Sequence, residues 1–232
     1  MRPGEYAIVL SMTNFFKQAP SQDTYQKRFL EVLMHGEHVI ASVPLNVPVV
    51  SMYALPALMG SGMTVVICPG SVQIQRNLEY FKAVGVNFPE VATLDGSQMP
   101  HEARIVEKEI NRGRVRLLYV TPERFASLTF LEMFVHSEVP FLLIEEAERL
   151  LPFMPGHVPY QRLFEDGLSL LGKLPPVVLL VPPLPPARFP ELQACLRLPS
   201  YRTVQFKPLL SGVEVRVHRL FTEHQKFRGL VA

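Results

Sequence analysis

Apolar residues along the chain fall into two repeating patterns. Short β-branched or leucine-rich runs, such as His38-Val39-Ile40-Ala41-Ser42, Thr64-Val65-Val66-Ile67 and Leu117-Leu118-Tyr119-Val120, read as strands buried on both faces. Between them lie stretches with apolar positions three and four residues apart, which read as helices. The alternation predicts strands at 38–43, 63–67, 91–94, 116–120, 140–145 and 176–181, and helices at 49–59, 71–84, 99–112, 122–135 and 160–172. A first helix at 22–34 precedes them; a short helix near 189–196 and strands at 202–206 and 213–220 follow. Strands that read as continuous apolar runs, alternating with helices, imply an α/β fold with a mostly parallel sheet covered on both faces. Ligands of such sheets sit beyond the carboxyl ends of the strands, here the loops after Ser42 and after Glu145.

A chain of 232 residues, 48% of them hydrophobic, is long enough to bury one sizeable α/β core. The longest apolar runs meet a proline or a charge before the roughly 20 residues a membrane span needs. The run Tyr6 to Met12 is too short and wrongly flanked for a secretory signal, so the expectation is an intracellular protein without membrane contact. Cys68 and Cys195 are expected to be free, buried thiols. The 22 prolines gather at Pro175-Pro176, Pro182-Pro183 and Pro185-Pro186, where neither a helix nor a central strand can continue. A net charge of +2 points to no particular partner. The basic cluster Arg104, Lys108, Arg112, Arg114 and Arg116, interleaved with Glu102, Glu107 and Glu109, reads as an amphipathic helix with side-chain ion pairs. No H-x-x-x-H, C-x-x-C or G-x-S-x-G spacing is present, so no metal ligand set or nucleophile elbow is predicted.

The segment after the first strand, Pro44 to Leu58 (PLNVPVVSMYALPAL), resembles the nucleotide-binding run PTGxGKSLxYxLPAL of RecQ-like superfamily-two helicases over fifteen positions without a gap. Further matches follow in the family's order. Met63 to Val86 resembles the strand and helix of the form TLVVSPLxxLMxDQVxxLxxxGI; next come Leu94-Asp95-Gly96-Ser97, the phrase LLYVTPERF at Leu117–Phe125, and FLLIEEAERL at Phe141–Leu150 in place of the DEAH box. The resemblance implies a RecA-like first motor lobe of the P-loop type over 21–207, after a lead-in at 1–20 and before a crossing segment at 208–232 toward a second lobe.

The same resemblance marks what differs. Family positions that bind phosphate and metal are occupied by Asn46, Pro48, Val49 and Val50, with Pro44 retained, so the glycines, the lysine and the hydroxyl are missing. The aspartate that holds magnesium in the family corresponds to Glu145, the water-polarising glutamate to Glu146, and the histidine that couples hydrolysis to DNA to Glu148. The expectation for these acids is a structural role, paired with Arg149 or another cation. Gln26 stands at the adenine-reading glutamine. The aromatic loop after the DEAH box is reduced to Pro152–Tyr160, without its tryptophan and arginine, and motif III is Val181-Pro182-Pro183. Thr121, Pro122, Glu123 and Arg124 stand where family members meet the nucleic-acid backbone. They read equally as a phosphate contact and as a helix cap with proline in the first turn.

The reading is a degenerate RecQ-like lobe with no cofactor expected, ATP and Mg²⁺ being those of active relatives. It would serve as a scaffold for weakly bound single-stranded or duplex DNA, for a protein partner, or for further domains of a longer chain. The alternative is the first lobe of an active ATP-dependent DNA helicase in a longer chain.

Overall fold

The structure, a computed structural model, describes residues 28–33, 35–44, 49–83, 85–152, 154, 157–163 and 167–206. Strand–helix alternation begins with helix α1 (28–33), strand β1 (Val39–Ser42), α2 (Val49–Met59), β2 (Thr64–Ile67), α3 (Ser71–Ala83) and β3 (Val91–Leu94). It continues through α4 (Pro100–Asn111), β4 (Leu117–Val120), α5 (Pro122–Phe125), α6 (Leu128–Val135), β5 (Leu142–Ile144) and α7 (His157–Arg162). The last elements described are β6 (Val177–Val181), α8 (Phe189–Cys195) and β7 (Arg202–Gln205). The strands form one seven-stranded sheet in the order β3-β4-β2-β5-β6-β1-β7, and every recorded pairing is parallel.

Because side chains alternate across a strand, the inner strands feed two cores, while β7 contributes Val204 to one alone. Val65, Ile67, Leu118, Val120, Leu142, Ile144 and Leu179 pack with Phe125, Phe130, Phe134 and Leu192 of α5, α6 and α8. Val66, Tyr119, Leu143, Val178 and Leu180 pack on the opposite face with Phe29, Tyr53, Ala57, Ile74 and Phe81 of α1, α2 and α3. This parity also fixes where residues just beyond the strand ends point. Cys68 follows Val66, and Glu145 follows Leu143, onto the α2/α3 face. At the amino-terminal end of the sheet, Gly62 takes φ +76 and lies against the Glu138 backbone, whose carbonyl accepts from Met63 N–H at 2.8 Å; a Cβ at Gly62 would stand 2.4 Å from that oxygen.

Helix 49–59 and strand 91–94 occur as predicted, and the other strands begin or end within a residue or two of prediction. The helix expected over 122–135 is broken. Ser127 turns extended (φ −72, ψ 138), and its hydroxyl donates to the Arg124 carbonyl at 2.8 Å, competing with the helical ladder. The helix expected over 160–172 starts instead at His157, and Leu168–Leu170 is a separate 3-10 turn. The expected strand 213–220, the lead-in 1–20 and the crossing segment 208–232 lie outside the described residues. No helix among the described residues is long and apolar enough to cross a membrane. Both cysteines are free as expected, but only Cys68 is fully buried; Cys195 is half-buried.

A buried carboxylate at the end of the sheet

The carboxyl ends of β1, β2, β4, β5 and β6 bring Ser42, Cys68, Thr121, Glu145 and Pro182 to one edge. Glu145 continues the ladder, its N–H donating to the Ile67 carbonyl at 2.9 Å, and its side chain turns inward with 5% exposure. Tyr53 O–H donates to Glu145 Oε1 at 2.8 Å, Cys68 Sγ–H to Oε2 at 3.2 Å, and Asn77 Nδ2 reaches both oxygens at 3.2 and 3.4 Å. The Tyr53 hydroxyl, having donated to the carboxylate, can accept from Tyr119 O–H at 2.9 Å. From the other side Tyr160 O–H donates to the Glu145 carbonyl at 2.6 Å. A buried carboxylate is tolerable only when donors surround it, and this one has a phenol, a thiol and an amide.

Electrostatics fixes the direction of every proton in the cluster. Burial raises the Glu145 pKa, an effect that the bonds from Tyr53, Cys68 and Asn77 oppose and nearby Glu146 reinforces. Burial first, then the Glu145 charge, pushes Tyr53, Tyr119 and Cys68 well up, so these groups stay protonated and remain donors. Glu146, by contrast, faces outward. It adopts the left-handed conformation (φ 49, ψ 43) at the start of the 3-10 turn Ala147–Leu150, and its carboxylate pairs with Arg149 at 2.5 Å. The expected pairing with Arg149 therefore holds for Glu146. For Glu145 it is corrected: donors from α2, α3 and the residue after β2 satisfy this acid, and no ion pair is recorded for it among the described residues. Glu148 is half-buried with Oε2 lacking a hydrogen-bond partner among the described residues, and burial raises its pKa.

The phosphate side of the same mouth is apolar where it is described. Pro44 is buried, Val50 is 8% exposed within the α2/α3 core, and Val49 is half-buried against it. Asn46, Pro48 and Gln26 lie outside the described residues. A Mg²⁺ site built on nucleotide phosphates needs a carboxylate open to the loop. The Glu145 oxygens are instead directed into the core and already accept hydrogen bonds. Among the described residues no group of three or more His, Cys, Asp or Glu side chains could hold a metal.

The residues predicted to meet nucleic acid form a helix cap. Thr121 is 8% exposed and its Oγ1 accepts from Arg124 N–H at 3.4 Å, at the N-terminus of the four-residue α5. Arg124 Nη2 pairs with Glu107 at 3.0 Å, Pro122 is buried, and Glu123 is exposed. A phosphate arriving here competes with Glu107 for the guanidinium and meets the Glu123 charge. The basic helix α4 forms with side-chain ion pairs as expected. Its recorded pairs are Glu109 with Arg112 and Arg114, and Glu107 with Arg124; Arg104 and Lys108 form no ion pair among the described residues. A groove of about 1160 Å³ runs between α4 and α6, lined by Arg104, Arg116 and Arg124 together with Glu107, Glu132 and Glu138, so its charge is mixed.

Sequence reasoning singled out Glu145 but missed Tyr53, Cys68, Asn77, Tyr119 and Tyr160 in the network around it. The signal was present for Asn77, a polar residue on the buried stripe Ile74, Asn77, Phe81 of α3.

No family model matches the chain. Among curated proteins it is 26% identical over 122 residues to the ATP-dependent DNA helicase RecQ of Haemophilus influenzae, covering 53% of this chain and 19% of that protein. It is 23% identical over 194 residues to the ATP-dependent DNA helicase Q-like 5 of Arabidopsis thaliana, covering 83% of this chain and 21% of the relative. The chain thus spans about a fifth of the length of these relatives. The solved structure of the DUF1998 helicase MrfA bound to DNA superimposes with TM-score 0.59 at 18% identity over 79% of this chain and 25% of that one. A hypothetical ATP-dependent RNA helicase from Sulfolobus tokodaii gives 0.58 at 15% identity over 78% of this chain and 52% of that one. In sequence the chain is similar to RecQ helicases over part of their length, and its fold is the RecA-like one of the solved helicase structures, as the motifs implied.

Proposed function

We propose that this lobe has exchanged nucleotide binding for structural integrity and acts as an interaction module, holding nucleic acid weakly or a protein partner, within a helicase-like architecture. The observation that carries the reading is the Glu145 carboxylate. It occupies the position from which relatives hold magnesium, yet it is buried and satisfied by Tyr53, Asn77 and Cys68. Val50 in the core and Val49 beside it support the same reading, since an apolar helix start supplies neither the cation nor the hydroxyl that a triphosphate and its metal require.

Calorimetric titration of Mg-ATP into the protein is expected to give no binding in the micromolar range; micromolar affinity would overturn the proposal. The double change Val49→Lys, Val50→Ser is expected not to restore binding, because the loop glycines are absent as well. Nucleic-acid binding, suggested by the DNA-bound relative MrfA, is expected to be weak and salt-sensitive because Arg124 is engaged by Glu107.

A further inference from the structure

Strand β3 is an edge of the sheet, paired with β4 alone among the described strands. Leu117 N–H donates to the Glu90 carbonyl at 3.0 Å, which sets the alternation along the pair. Ala92 and Leu94 turn their backbone groups to β4, and Val91 and Thr93 turn theirs outward. The outward edge is the floor of a slot of about 380 Å³ between α3 and α4. Gln75 of α3 stands on one side, Glu102 and Ile105 of α4 on the other, and Phe88 at one end. Phe88 is 51% and Ile105 52% exposed, which offers apolar contact at the rim. Proteins usually blunt such an edge with lysine, proline or a covering segment, and the residues Val-Ala-Thr-Leu of β3 carry no such group.

The chemistry of the slot is acidic and unfinished. Asp95 is 6% exposed; its Oδ1 accepts from Ser97 N–H and O–H at 2.9 and 2.6 Å, while Oδ2 has no hydrogen-bond partner among the described residues. Thr93 Oγ1, on the same slot, is also buried without a partner among them. Glu102 adds a second carboxylate, and no cationic residue lines the slot among the described residues. A buried carboxylate oxygen and a hydroxyl left unmatched are the groups a donor-rich cation would complete.

We propose that the open edge of β3 is a docking site for an extended peptide that adds a strand at Thr93, placing a lysine or arginine side chain against Asp95, Thr93 and Glu102 and an apolar side chain between Phe88 and Ile105. Main-chain bonds to the edge supply the affinity and the acidic slot supplies the choice of partner. The inference specifies the protein-partner half of the function proposed above and rests on it. The ATP titration and the peptide titration fail independently.

The probe is a fluorescent acetylated heptapeptide alternating lysine with valine, titrated into the full chain and followed by anisotropy, with a glutamate–valine heptapeptide as control. The basic peptide is expected to bind at least tenfold more tightly than the acidic one and to slow amide exchange at Thr93 in heteronuclear NMR. Asp95→Asn keeps an acceptor for Ser97 and removes the charge. Ile105→Arg places a cation at an exposed rim position, where it leaves the core intact. Each is expected to weaken binding at least fivefold. Equal binding of the two peptides, unchanged Thr93 exchange, displacement of the peptide by a thymidine oligonucleotide, or wild-type affinity in both variants would each overturn the proposal.

Discussion

Replacing Tyr53 with phenylalanine removes one oxygen from the centre of the buried cluster and tests whether the cluster, and not packing alone, holds this end of the sheet. The hydroxyl lies 2.8 Å from Glu145 Oε1 and 2.9 Å from the Tyr119 hydroxyl, at zero exposure. Where Glu145 is ionised the lost bond is to a charged acceptor, a loss of about 1.5–3 kcal/mol; where it is protonated the loss is that of a neutral bond, about 0.5–1.5 kcal/mol. The two regimes give the prediction its sign. The folded-state pKa of Glu145 is raised above the ordinary 4.5, mainly by burial, so its contribution is fully present below the unfolded value and is lost as pH rises through the folded one. Tyr53 is among the donors that lower that pKa, so removing it raises the value further and the cost of Tyr53→Phe grows with pH. Urea unfolding followed by far-ultraviolet circular dichroism at pH 5 and pH 8, with unchanged m-values, measures how the cost changes with pH. The chain has no tryptophan, which makes circular dichroism the natural probe. A cost that shrinks with pH, or one below about 0.5 kcal/mol at both pH values, would refute the account of the cluster.

Further changes separate the apolar helix start from the cap. Val50→Lys is expected to lower stability by about 1.5–3 kcal/mol or more, since a core valine is lost and an ammonium is forced toward its place, and Val49→Lys by less; thermal unfolding that ranks them the other way, or leaves both unchanged, would mean an open, solvated helix start. Arg124→Glu should abolish whatever binding of single-stranded DNA is seen at low salt, while Glu107→Gln, which frees Arg124 from its partner, should strengthen it; anisotropy titrations at two salt concentrations distinguish these outcomes, and no change in either variant removes the cap region from the interface. Gly62→Ala is expected to cost at least about 2 kcal/mol, because a Cβ there meets the Glu138 carbonyl in a backbone conformation alanine avoids; a smaller loss in denaturant melts would mean that the β2 and β5 lead-ins can separate.

The sheet and most of its helices were legible because strands buried on both faces leave unbroken apolar runs, and helix α2 was bounded on both sides by turn chemistry. The break at Ser127 was not legible, since Leu128 to Val135 continues the helical period and only a hydroxyl bonding back to Arg124 stops it. At the site, the resemblance marked which residues align with the family's nucleotide positions, but the sequence pointed Glu145 toward a cation. Its true surroundings depend on strand parity and on the meeting of residues far apart in the chain: position 53 with 145, and 68 with 145. Such meetings are set by strand order, which composition and period do not encode. The acidic slot on β3 was likewise invisible, because an unmatched oxygen is a property of the folded neighbourhood.

The place of β1 in the sheet has a consequence for how the chain comes to be made. Its neighbours are β6 and β7, and the Val177 N–H that donates to His38 Nδ1 lies 139 positions away along the chain. While β2, β3 and β4 can assemble among themselves, β1 emerges from the ribosome before them and finds no recorded partner strand until β6 and β7 have been synthesised. During that interval its two bare edges and the apolar faces of α1 and α2 are exposed together, which makes the amino-terminal segment the natural client for a chaperone and the last part of the sheet to be secured. A nascent chain arrested before Val177 should therefore protect β2 and β4 from protease while leaving β1 open to cleavage.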